Sequence, residues 1–430
     1  MRRLTRTLAL IALALSAPLT AQDAELARAV DRVTPEIIAV RHHLHQHPEL
    51  SNREFETAKL VAERLRTLGL EVHTGIAHTG VVGILRGGRP GPIVAVRADM
   101  DALPVTEDTP FPFKSTERTT YLGQEVGVSH ACGHDIHTAV QLGVAAVLAS
   151  MRERLPGTVK FIFQPAEEGA PPGERGGAPL MIEEGVLEGP RPEVIFGLHA
   201  SASLDVGVVG YTPGPALAAS DAFRVRIIGR GAHGAAPHLA IDPIVMAAQA
   251  VEALQTIRSR NLPPLEPSVV TVGLIRGGTR LNIIPNDVEM QGTVRTYSSE
   301  MSQAVERRMG EILAGVTAAG GGSYELEYTR MTPTTINDTA LTARMVPTIA
   351  RVVGTAMTRR INPWMAAEDF AYYAREVPGF FFMLGVVKPG TASGDHHSST
   401  FMADDGAVPV GIRVMSQVIL DYLRGEPAAR

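Results

Sequence analysis

Three short runs rich in branched and aromatic side chains set the tightest limit on the fold: Ile93–Ala98 (IVAVRA), Val159–Phe163 (VKFIF) and Val194–Leu198 (VIFGL). A strand that is apolar on nearly every residue has no face to give to water, so it belongs in a sheet covered on both sides. Between the first two runs lies His137–Met151 (HTAVQLGVAAVLASM), which reads as a largely apolar helix. Strands alternating with helices in this way predict an α/β architecture around a central, mostly parallel sheet. Ahead of them, residues 24–68 read as largely helical, with Leu60, Val61 and Leu65 on one stripe and Gly69 as a stop signal.

The pattern changes after Tyr211–Ala219, a stretch holding two prolines, a glycine and three alanines. Phe223–Ile228 (FRVRII) alternates apolar and charged residues, as a strand with one wet face should. Helical signals follow at Ile244–Ile257 and Ser299–Ala318, strand signals at Val269–Leu274, Val288–Thr296 and Tyr324–Tyr328. That order predicts a compact α+β unit of about a hundred residues. A helix over Ala340–Val353, which Pro347 is placed to kink, and an apolar segment, Phe380–Val387, return the chain to its first character. The expected organisation is a large domain over 22–214 and 333–430, interrupted by a smaller one over 215–332.

Forty basic against 45 acidic residues give a net charge of −5. With no basic run beyond the extreme N-terminus, the chain has no electrostatic footprint for nucleic acid. Arg2, Arg3 and Arg6 precede the apolar run Leu8–Leu15, which ends in small residues and Pro18. This predicts a signal peptide over residues 1–21, cleaved near Ala21, and an exported, periplasmic mature protein. The run is short for a stable membrane span. The one cysteine, Cys132, excludes an internal disulfide, so the thiol of an exported protein must be buried, liganded or at risk of oxidation.

Cys132 sits in the densest polar cluster, His130-Ala-Cys132-Gly-His134-Asp135-Ile-His137, directly before the apolar helix. Thiolate and imidazole suit zinc, and imidazole with carboxylate also suits manganese, cobalt or nickel. Glu167 and Glu168 follow the VKFIF strand and His199 follows VIFGL. Open α/β sheets gather ligands at such carboxyl ends. Asp99 and Asp101 stand at alternate positions after IVAVRA, and Asp395-His396-His397-Ser398 lies near the C-terminus.

In this order the motifs RHHLHQHPELSNREFET, RADMDALPV, SHACGHDIHTA, QPAEEG, FGLHA, GRGAHGAAPH, GGTRLNIIPNDVEMQGTVRT, AAEDFAYY and HHSSTF cover nearly the whole mature chain. They resemble the metallo-aminoacylase and carboxypeptidase family, in particular its auxin-conjugate hydrolases, hippurate hydrolases and N-acyl-amino-acid amidohydrolases. The resemblance implies a metal-binding α/β domain interrupted by a dimerisation or lid domain. It implies two divalent ions (Mn, Zn, Co or Ni) held by Cys132, His134, Glu168, His199 and His397, with His396 the competing choice for the last.

Asp101 then corresponds to the aspartate that orients the site from behind. Glu167 would take a proton from a water acidified between the two cations and pass it to the leaving amine. His233 resembles the histidine that faces the oxyanion, commonly from a partner subunit, which implies a homodimer. Asn282 and Arg295 are candidates for the substrate carboxylate. Glu368 and Asp369 match supporting positions, and His130 and His137 are expected to support rather than ligate. His42, His43, His45 and His47 fall in an N-terminal helix and loop. The expected activity is cleavage of N-acyl amino acids. The nearest alternative is a dipeptidase or carboxypeptidase acting on short peptides.

Overall fold

The computed structural model describes residues 21–425; residues 1–20 of the expected leader lie outside them. Among the described residues no helix is long and apolar enough to cross a membrane.

The large sheet has eight strands in the order Glu71–Ile76, Gly80–Arg86, Pro156–Gln164, Arg89–Asp99, Val194–Asp205, Gly379–Val387, Val209–Tyr211, Thr358–Arg360. Its four middle strands, from Pro156–Gln164 to Gly379–Val387, run parallel, with Val96 beside both Phe161 and Phe196. The three apolar runs therefore lie side by side, and Phe380–Val387, read only as an apolar segment, is the fourth strand of that core. One face is covered by the helices Ala21–Gln46, His134–Ser150 and Ala407–Arg424 through a large buried cluster. The other face carries the short helices Gly177–Glu183 and Phe370–Glu376 on a second cluster.

The N-terminal helical stretch is two helices, Ala21–Gln46 and Phe55–Thr67, rather than one. Pro48 disfavours helical backbone at His47, and the intervening chain instead bridges Leu50 to Ala102. The edge strand Glu71–Ile76 and its neighbour Gly80–Arg86 were not singled out: the first is mostly exposed, and the apolar run of the second is interrupted by Gly83.

A second sheet of four antiparallel strands has the order Val269–Gly277, Asp287–Thr296, Ala219–Ile228, Ser323–Thr332. Pro243–Thr256 and Ser299–Gly320 are the helices of this unit. Met301, Val305, Met309 and Leu313 recur every fourth residue on the buried side of the second helix, as a helical stripe requires. Asp242 and Ser298 cap the two helices by accepting backbone N–H groups, and Gly321, at φ +75°, ends the second. This unit has its own hydrophobic cluster. The molecule is thus an α/β fold with a large, mostly parallel sheet and a smaller α+β unit.

Candidate metal centre

The site forms where the parallel strands end. Asp99 and Gln164 are register partners at the ends of adjacent strands, and Arg97 pairs with Gly197, two residues before His199. The loops that follow bring in Asp101 and Glu167-Glu168, and the turn before His134–Ser150 brings in Cys132 and His134. That turn depends on Gly133, whose φ of +93° suits glycine and whose missing Cβ would stand 2.8 Å from the Ala200 Cβ. Ala166 also holds a positive φ (52°), fixed by a backbone N–H to Glu54 Oε1 (2.9 Å).

Each imidazole is oriented by its second nitrogen. His134 Nδ1 donates to the Asp101 carbonyl (2.8 Å), and His199 Nδ1 donates to the Ala200 carbonyl (2.7 Å). Both Nε2 lone pairs are left free to face the site, as metal-binding histidines require. His199 Nε2 lies 3.5 Å from Cys132 Sγ. Donors around a tetrahedral ion with bonds of about 2.0–2.3 Å stand roughly 3.5 Å apart. His134 Nε2 lies 3.9 Å from both Glu167 Oε2 and Glu168 Oε1.

Four groups of donors in the described residues are close enough to share an ion. Two of them are already satisfied. In Asp99–His134–His137, His137 donates from Nδ1 to Asp99 (2.5 Å) and accepts the Ala200 N–H at Nε2 (2.7 Å). In Glu167–Glu368–Asp369, the buried Arg97 guanidinium takes Glu368 (3.0 Å) and Asp369 (2.7 Å), together with Asp99 (2.6 Å). The other two, Cys132–His134–Glu168 and Cys132–His199–His396, share one thiol.

Within this centre His134 Nε2 and Asp101 Oδ1 are buried without a hydrogen-bond partner, and Glu168 Oε1 meets only the His397 imidazole. Orphaned buried donors and acceptors are costly and call for an unseen partner. Burial, then the charges of Glu168 and Glu167, push the Cys132 thiol well up. Burial, then Glu368 and Glu168, do the same to the Glu167 carboxyl. A cation reverses both effects, releasing a thiolate and an ionised base. The donor set therefore fits divalent metal.

His396 and His397 approach from different sides. His396 Nδ1 is 3.8 Å from Cys132 Sγ, while its Nε2 accepts the Ala202 N–H (3.3 Å). His397 Nε2 is 3.1 Å from Glu168 Oε1, and its backbone N–H is bound to the Ala131 carbonyl. Asp101 Oδ2 accepts from the Ser51 hydroxyl (2.7 Å) and the Glu168 N–H (3.0 Å).

Three sequence candidates stand apart from the cluster, in the smaller unit. His233 and Asn282 meet where the strands Ala232–His233 and Ile283–Ile284 pair; both are exposed, and Gly234 N–H bonds the Asn282 carbonyl (2.9 Å). Arg295 is half-buried on its strand, opposite Ser220.

The N-terminal histidines do not join the centre. His45 is buried between Asp135 (3.0 Å) and Glu107 (3.0 Å), and His47 is exposed beside Glu117. Arg41, Arg97 and Glu54 were missed as supports. Arg41 bonds Asp135 (2.9 Å) and Asp405 (2.5 Å), and thereby ties the first helix to the Cys132 turn. Their buried, charged character is the one signal in the sequence, and it is visible only once the strands are placed.

Residues 95–421 match the family described as peptidase family M20/M25/M40. The chain is 40% identical over 379 residues to a thermostable carboxypeptidase of Saccharolobus solfataricus, covering 87% of this chain and 92% of that one. It is 44% identical over 304 residues to an N-acyl-L-amino acid amidohydrolase of Geobacillus stearothermophilus, covering 71% and 78%. Among solved structures it resembles the Bacillus subtilis YXEP protein, described as a dinuclear metal-binding peptidase from the M20 family. That likeness has a TM-score of 0.77 and 34% identity, and covers 92% of this chain and 99% of that one. With its fold and three quarters of its length in agreement, the chain belongs to peptidase family M20/M25/M40 and is a hydrolase of amide bonds.

Proposed function

We propose that this hydrolase cleaves N-acyl amino acids, using two divalent ions per subunit held by Cys132, His134, Glu168, His199 and His397. The observation that carries the reading is Cys132, whose thiol shares one donor group with His134 and Glu168, lies 3.5 Å from His199 Nε2, and stands beside the Glu167 carboxylate. When bound, the ions would polarise the scissile carbonyl and acidify a water. Glu167, whose Oε2 shares its space with His134 Nε2, takes the water's proton and returns it to the leaving amine. Asp101 holds His134 in the tautomer that keeps Nε2 open. Among candidate metals, a thiolate favours zinc, while the imidazole and carboxylate donors also accommodate manganese, cobalt or nickel.

His397 is the fifth ligand in this reading. Because His396 Nε2 accepts a backbone N–H, its Nδ1 carries the proton and donates towards the sulfur, leaving no lone pair for a metal.

Residues 215–332 act as the inserted dimerisation or lid domain. His233 there faces the developing oxyanion and Arg295, with Asn282, binds the substrate carboxylate. His233 has no hydrogen bond to the centre among the described residues, which suits delivery from a second copy. Large apolar side chains stand exposed around the same turn: Leu281 is 104% exposed, Leu239 59% and Ile283 47%. A homodimer burying them accounts for both facts. The N-terminal leader, Arg2 to Ala21, directs export to the periplasm.

The test compares wild type and Glu167→Ala on a panel of N-acyl amino acids, after chelation and after adding back Mn, Co, Ni or Zn. Hydrolysis restored by metal in wild type and lost in the variant, with metal content intact, supports the reading. In the same assay His397→Ala should lose about one ion per subunit and His396→Ala none. A panel left uncut beside cleaved short peptides would favour carboxypeptidase action, the activity named for the Saccharolobus relative.

A further inference from the structure

A cavity of about 540 Å³ opens next to the centre, with Glu168 forming part of its lining. Its walls include Leu50, Leu103, Pro104 and Pro171, and Phe55 and Leu122 also line it. Those last two are large apolar side chains left 60% and 69% exposed. Leu122 is the first residue of the two-residue turn between Arg118–Tyr121 and Gln124–Gly127, where φ is +50° at Leu122 and +77° at Gly123. Such turns favour asparagine or aspartate at the first position. A leucine there breaks the local rule and presents an apolar side chain to the cavity, the kind of conflict that marks functional positions.

The charge lining points the same way. Arg53 is the one cation of the lining, and its guanidinium is spent on Glu174 through Nη1 (3.0 Å) and Nη2 (2.5 Å). With that cation spent, the lining offers a substrate carboxylate no free positive side chain. Of the two ends of an N-acyl amino acid, the neutral acyl end is the one it suits.

We propose that this cavity receives the acyl group and makes the enzyme selective for large apolar acyl chains over acetyl. The inference rests on the N-acyl-amino-acid reading above. A methylene needs about the room of a water molecule, roughly 30 Å³, so an eight-carbon chain needs roughly 240 Å³ and acetyl roughly 60 Å³. The longer chain fits inside the cavity, and the shorter one leaves its apolar walls wet.

The test measures kcat/KM of the metal-loaded enzyme for acetyl, butanoyl, hexanoyl and octanoyl derivatives of one amino acid. Each added methylene should raise kcat/KM by up to about 4-fold. Leu122→Asp and Phe55→Asp, at exposed positions, should melt as wild type does. Each should lower octanoyl cleavage by about 10-fold or more while leaving acetyl cleavage within about 2-fold. Calorimetric binding of octanoate should weaken in parallel. A flat series, or an octanoyl preference untouched in both variants, overturns the proposal. If acetyl and octanoyl substrates alike stay uncut while short peptides are cleaved, the parent reading falls and this inference falls with it.

Discussion

Removing the divalent ions should leave a protein whose stability declines as pH rises from 7 to 8, and Glu368 lets that decline be assigned. Burial pushes its carboxyl up to about 8; Arg97 opposes the shift, and Asp99 and Asp369 add to it. In the unfolded chain the group ionises near 4.5, so from pH 7 to 8 the folded state holds a proton that the unfolded state has lost. Stability from such a group is full below pH 4.5 and disappears as pH climbs through 8. The loss is about 1.4 kcal/mol per pH unit while the folded proton is held, or about 1 kcal/mol from pH 7 to 8, where it is half released.

Glu54, raised to about 8 by burial and by Asp101, leans the same way. So does His45, where the Asp135 charge and hydrogen bonds to Asp135 and Glu107 outweigh burial and hold the ring at about 9. His130 and His396, pushed down to about 4 by burial, are neutral in the folded state and regain only a few tenths of a kcal/mol over this range. His134, where Asp99 and Asp101 outweigh burial and hold the ring at about 10, adds about 1 kcal/mol, so chelated wild type should lose roughly 4 kcal/mol between pH 7 and 8 in urea titrations at fixed ionic strength. Glu368→Gln, which keeps the acceptor for Arg97 and the Phe370 N–H, should lose about 1 kcal/mol less. Saturating divalent ion should flatten both curves, because external cations replace the bound protons. A chelated slope of zero or of opposite sign, or a slope unchanged by Glu368→Gln, refutes the charge account of the centre.

Two substitutions away from the donor atoms probe how the centre is held. Gly133→Ala puts a Cβ 2.8 Å from the Ala200 Cβ at a φ of +93°. It should cost about 1–3 kcal/mol and lower metal content per subunit, read by urea titration and elemental analysis. Arg41→Met leaves the Asp135 and Asp405 carboxylates without their guanidinium and should destabilise by about 3–5 kcal/mol in the same titrations, more than any exposed arginine. A loss below about 1 kcal/mol would mean that His45 alone neutralises Asp135.

The ligand candidates were legible because each sits within a few residues of a strong local signal. Cys132 and His134 precede the most apolar helix, Glu168 and His199 follow strands that could only be central, and strand ends in such sheets converge. What makes those donors a metal centre was not legible, because it is assembled across the chain. Arg97 meets Asp369 from 272 positions away and Glu54 reaches the Ala166 N–H across 112. No periodicity links such pairs, and Glu54 and Arg41 read as ordinary charges on helical segments until the sheet buries them.

Once they are placed, the balance of charge becomes the argument. Asp99, Asp101, Glu167, Glu168, Glu368 and Asp369 crowd one pocket, and Arg97 is the permanent cation bonded among them. Burying carboxylates without counter-charge is costly, so the deficit must be met by protons or by cations from outside. Protons are retained by Glu167 and Glu368, whose carboxyls burial drives up furthest, with Asp369 raised less, to about 6. Cations are invited at His134 Nε2, buried and without a hydrogen-bond partner, and at Glu168 Oε1 beside the His397 imidazole. The metal requirement thus follows from the electrostatics of the whole pocket, with the ligand motif supplying only the address.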